Sequence, residues 1–143
     1  MKTAISTVLF VGVVWLCLVS IHQTVAQQCA DEEAMVADYK KDLVGLVETT
    51  RKESQADFDK GFHQKACINK LTFNLSMLTE LVSCLEKAVA DSTATKEQAD
   101  ANKAKLETFT KLKDKVEDYR KKLKAKDDPK EAKALIEKFD FSG

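Results

Sequence analysis

Apolar side chains recur along this chain at helical intervals. Val36, Tyr39, Leu43 and Leu46 step by three and four, as one face of a 3.6-residue helix requires. Residues 50–57 (TRKESQAD) interrupt that stripe and predict a turn or a loosened helix. The stripe resumes at Phe58 and Phe62. It becomes strict at Ile68, Leu71, Leu75, Leu78, Val82, Leu85 and Val89, alternating steps of three and four. Asp91-Ser92-Thr93-Ala94 breaks it again. Thr95 with Gln98 then forms a capping box, in which side-chain oxygens satisfy the free amides of a helix start. The next stripe holds Ala99, Leu106, Phe109, Leu112, Val116, Tyr119 and Leu123, with polar Asn102 weakening its first turns. Asp128-Pro129-Lys130-Glu131 is a second start signal, with Asp as cap and Pro at the first helical position. It opens a short helix with Leu135, Ile136 and Phe139 inward. No segment alternates with period two for long enough to suggest a strand.

Each stripe is about one face wide, so the helices must bury against one another. Short connections favour antiparallel neighbours. The expected fold is all-α: a small up-down helical bundle of three long helices plus a short C-terminal helix, disulfide-stapled. An extended coiled coil is the alternative for strict heptads, and the turn signals near 54, 93 and 127 favour the compact bundle.

The first 26 residues change the picture of where the chain works. They carry one charge, Lys2, then an apolar run from Val8 to Val19 and the small-residue end Thr24-Val25-Ala26. This is the pattern of a secretory signal peptide, and the run is short for a membrane span of about 20 residues. Cleavage after Ala26 would leave residues 27–143 as a single helical bundle domain, secreted and extracellular. Losing Lys2 from the 23 basic residues leaves 22 against 23 acidic, so overall charge argues for neither nucleic acid nor a membrane surface.

That domain holds three cysteines. Cys67 and Cys84 lie 17 residues apart, which on a continuous helix is about 25 Å. A disulfide needs Cα atoms within roughly 7 Å. Folding the first two helices as a hairpin about residues 54–56 sets position 29 opposite 79–83, so Cys29–Cys84 is the preferred pair. A Cys29–Cys67 pair with Cys84 free is the alternative. With Cys29–Cys84 formed, Cys67 is left as a buried free thiol or the bridge of an intermolecular dimer.

Candidate chemistry is sparse. His63 has no second ligand at metal spacing, and a Cys67–His63 pair lacks an orienting group and an oxyanion feature. No catalytic or metal site and no cofactor is expected. Asn74-Leu75-Ser76 matches the N-glycosylation sequon, which places Asn74 toward solvent if it is used. Lys111, Lys115, Arg120, Lys121, Lys122, Lys124 and Lys126 make the end of the third helix basic. They are the candidate binding patch for heparin, an anionic surface or an acidic partner, set against a merely solvated face. Phe58, Phe62, Phe73, Phe109 and Phe139 could line a cavity for an apolar ligand or simply fill the core.

The start "QQCADEE" and the run "ACINKLTFNLSMLTELVSCLEK", in a secreted helical chain of this length, resemble the small salivary proteins of anopheline mosquitoes of the anophensin and albicin type. That resemblance implies inhibition of host defence in blood, either of the alternative complement pathway at its C3 convertase or of the kallikrein contact system. The partner would be a host plasma protein or complex, bound by a monomer or a Cys67-linked dimer. A helical carrier of a fatty acid or other small apolar ligand is the competing expectation. A structural or immune-related haemolymph protein is a third.

Overall fold

The computed structural model describes residues 29–141. The signal peptide expected over 1–26 lies outside the described residues. Five helices form a bundle: α1, described over 29–52, α2 Gln55–Lys60, α3 His63–Ala90, α4 Lys96–Lys124 and α5 Pro129–Glu137. Among the described residues there is no strand and no helix long and apolar enough to cross a membrane.

The expected count of three long helices and one short one misses α2. Ser54 starts it, its hydroxyl accepting from the Asp57 amide at 3.2 Å, and Gly61 ends it. A helix that the apolar pattern carried from Phe58 into α3 is therefore broken at residues 61–62. Phe58 is buried on α2, while Phe62, placed by the pattern on the same inner stripe, lies at the break and faces solvent. The two start signals read from sequence are both present. The Thr95–Gln98 box is complete, at 3.3 and 2.9 Å. Asp128 caps α5, accepting from the Lys130 amide at 2.9 Å.

α3 runs antiparallel to α1 and to α4. The Cys29–Cys84 disulfide, with Cα atoms 5.9 Å apart, ties the described start of α1 to the far part of α3. It closes a 55-residue separation, a constraint on the unfolded chain worth roughly 2–4 kcal/mol. Lys70 reaches Asp42 at 3.2 Å in the same register. On the other side, the Gln64 amide donates to the Leu123 and Lys126 carbonyls at 3.0 and 2.8 Å, which ties the start of α3 to the end of α4 and the turn after it.

The core is densest toward the end closed by α5. Leu43, Phe58, Leu71, Val116, Leu123 and Ile136 are buried there. Tyr119 stacks on Phe139 at 3.5 Å and donates to the Leu135 carbonyl at 3.1 Å. Phe141 meets Phe139 edge-on at 4.1 Å. Arg51 donates to the Glu137 carbonyl through Nε and Nη2, at 2.9 and 2.7 Å, which closes the end of α5 onto α1. The first turns of α4 carry no fully buried residue before Val116, in line with the weakness that Asn102 marks.

Candidate interaction face

The cysteines leave no reactive centre. Cys67 is free and only 2 % exposed. Burial pushes its thiol up to about 12, so thiolate is scarce at neutral pH and the sulfur is a poor nucleophile. An intermolecular bridge through Cys67 does not fit this packing. His63 does not complete a pair with it: Nδ1 faces the Glu53 carboxylate at 3.2 Å, and the ring stacks on Phe58 at 5.7 Å. Cys29, Glu32 and Cys84 bring their donor atoms within 4.8 Å of one another, but both sulfurs are consumed by the disulfide.

Asn74, the sequon asparagine, is 3 % exposed. A glycan on this side chain has no way out of the packed bundle, so the reading of Asn74 as a modification site is corrected. It stands instead on the inner seam of α3, whose buried positions are Cys67, Leu71, Asn74, Leu78, Leu81, Val82, Leu85 and Ala88.

The seven basic residues near the end of α4 do not share one surface. At about 100° per residue, Lys111, Lys115 and Lys122 fall on one side and Arg120 and Lys124 on the opposite one. Several are neutralised within the domain. Lys111 pairs with Glu107 at 2.7 Å, Lys121 with Glu117 at 2.8 Å, Lys122 with Asp118 at 2.6 Å and Lys126 with Glu131 at 2.7 Å. Arg120 turns toward α3, with Nη1 3.4 Å from the Thr72 hydroxyl. The hydrogen bond and charge of Lys111 hold the Glu107 carboxyl below its usual value, and those of Lys121 do the same for Glu117.

The outer face of α3 is built differently. Phe62, Ala66, Asn69, Phe73 and Ser76 are all exposed and step by four and three, so they lie on one strip of about four turns. Phe62 is 75 % and Phe73 61 % exposed, a poor use of aromatic surface in a monomer that leaves it in water. Between residues 64 and 79 only Lys65 and Lys70 are charged, and Lys70 is turned to Asp42 on α1. The antiparallel register set by Cys29–Cys84 and Asp42–Lys70 puts Phe73 level with Tyr39, and Met77 level with Met35. Met35 stands seven residues before Asp42, hence on the same side of α1, and is 41 % exposed. Three of the four exposed large hydrophobics therefore border one face: Met35, Phe62 and Phe73.

Phe62 is held out by its backbone. It precedes α3 in the left-handed region, at φ 52°, a conformation that is strained for a residue with a side chain. The glycine that could adopt it freely sits one position earlier. Gly61 keeps an ordinary φ of −81°, but a Cβ there would collide with the His63 ring. Close approach of that ring thus claims the glycine, and Phe62 takes the strained position and points outward.

Sequence reasoning put Phe62 and Phe73 among core or cavity candidates. The five phenylalanines considered together do not meet: Phe58 and Phe139 are core, Phe109 packs against it, and Phe62 and Phe73 are in solvent. A cleft of about 360 Å³ opens between α1 and the C-terminal segment, lined by Lys40, Val44, Val47, Glu48, Arg51, Phe139, Asp140 and Phe141. It is half-open and rimmed by charge, unlike the enclosed apolar chamber that a fatty acid needs. The signal that finds Phe73 is its position on none of the apolar columns of α3, in a stretch of the opposite side almost without charge.

No family model, no curated protein and no solved structure matches the chain.

Proposed function

We propose that this protein is a secreted, non-enzymatic binding protein that docks on a host plasma protein or complex through the outer face of α3. The observation that carries this reading is the uncharged strip from Phe62 to Ser76, with two aromatic side chains standing in water. Aromatic anchors set in an exposed, weakly charged patch are the usual energetic centre of a protein interface. The resemblance to the anopheline salivary proteins supplies the class of target. It is the alternative complement pathway at the C3 convertase, or the kallikrein contact system. Inhibition follows from occupancy: a rigid bundle seated on a partner excludes what that surface would otherwise bind.

The test is a pair of activity assays, alternative-pathway haemolysis and kallikrein activation, run with the wild type and with the double variant Phe62→Ser/Phe73→Ser. Wild type at micromolar concentration should inhibit one of the two. The double variant, with its melting curve intact, should lose roughly 30-fold or more in potency. No inhibition of either system by wild type removes the target class. Unchanged potency in the double variant removes the face.

A further inference from the structure

The same strip is self-complementary, and we propose that it closes on a second copy of the chain to form a two-fold dimer in competition with the host partner. The inference rests on the reading of this face as a docking surface and adds its regulation. In a two-fold interface every contact between two positions occurs twice, with the roles exchanged. An antiparallel pairing of α3 with α3 of the second copy, its axis passing beside Phe73, meets that condition. Asn69 lies four residues before Phe73 and Ser76 three after it, so each amide meets a hydroxyl of the second copy. Lys65 lies eight before and Glu80 seven after, so each ammonium meets a carboxylate. The two Phe73 rings meet at the axis.

The charges carry the argument. On α1 and α4, four ion pairs close within the helix at spacings of three or four residues. Lys65 has no acidic residue, and Glu80 no basic one, three or four positions away. Both side chains are exposed, and neither has an ion-pair partner among the described residues. They bracket an uncharged aromatic strip with opposite signs at nearly equal distances, about 12 and 10.5 Å along the axis from Phe73. Met35 and Met77 widen the strip beyond one helix, as an interface of stable size requires. Cys67 takes no part, being buried on the inner side of α3.

The experiment is sedimentation analysis from about 1 to 500 µM at low salt, with intact mass under non-reducing conditions to establish that no covalent link forms. Wild type should pass from monomer to dimer with rising concentration. K65E and E80K each place like charges together twice, and each should weaken dimerisation roughly tenfold or more. K65E/E80K restores the pairs and should return the constant to within about threefold of wild type. An equimolar mixture of K65E and E80K should give heterodimer, because one variant then carries a carboxylate at both positions and the other an ammonium at both. F73S should remain monomeric. A wild type that is monomeric at 500 µM overturns the proposal, as does a double reversal no tighter than the singles, or an F73S variant that still dimerises. The inhibition assays on F73S report separately: potency lost without any dimer in the wild type overturns only the dimer.

Discussion

The outer faces of α3 and α4 use opposite chemistry on helices of nearly equal length, 28 and 29 residues. α4 is crowded with charge, and three of its ion pairs close one turn apart within the helix. α3 is nearly bare of charge and leaves two aromatic rings in water. Exposed ion pairs such as Glu107–Lys111 and Glu117–Lys121 add little to stability, and they leave little field for a partner to feel. A run of lysines therefore signals a site in a sequence more strongly than it does on this folded surface. The bare strip signals the reverse: nothing in the domain satisfies it.

The sharpest way to break this contrast is to exchange aromatic for polar on one helix and charged for neutral on the other. Phe73→Ser should reduce partner binding by roughly 30-fold or more with the melting temperature unchanged. Lys121→Ala with Lys122→Ala should stay within about twofold. Titration calorimetry or the inhibition assays read both, and equal effects on the two helices would abolish the distinction. A smaller effect of mixed sign is expected at the break before α3. Phe62→Gly releases the left-handed strain and should stabilise the fold by about 1 kcal/mol while weakening partner binding several-fold. A denaturant midpoint that falls would mean that Phe62 holds the corner together. The smallest effect belongs to α4 alone. Glu107 and Glu117 have carboxyls held below the ordinary 4.5. Their contribution is therefore fully present above that value and is lost as pH falls through the lowered ones. Carboxyl NMR titration should show both midpoints depressed, and adding salt should move them back toward 4.5 as the lysine charges are screened.

Much of the bundle is legible in the sequence because helix starts and stops are local chemistry. Thr95 with Gln98, and Asp128 before Pro129, specify their amide partners within one turn. The preferred Cys29–Cys84 pairing follows from helix rise together with a hairpin about residues 54–56, and it is the disulfide found. What the sequence hid was the rotation of α3. Reading only apolar residues centres its face on Ile68, Leu75 and Val82 together with the Leu71, Leu78 and Leu85 column. The buried seam instead adds Cys67, Asn74, Leu81 and Ala88. A thiol, an amide and a methyl give weak hydropathy signals, so the pattern sets the inner face too far from α1. That displacement also makes Asn74 look available to solvent and Phe73 look available to a cavity. α2 is hidden for a different reason: its six residues offer one buried side chain, too few for periodicity to detect. The strain at Phe62 has no signature in hydropathy, since it arises from the competition between Gly61 and His63 for the same space.

The unpaired Cys67 makes the molecule its own clock. Its sulfur is sealed between α3 and the rest of the core with Tyr119 beside it, and burial raises both groups above their usual values. An alkylating reagent under mildly basic conditions should therefore modify it only when the bundle parts, and far more slowly than in a denatured control. The labelling rate then counts openings of the domain, one molecule at a time, without any probe being introduced. A partner seated on the other side of the same helix should slow that count.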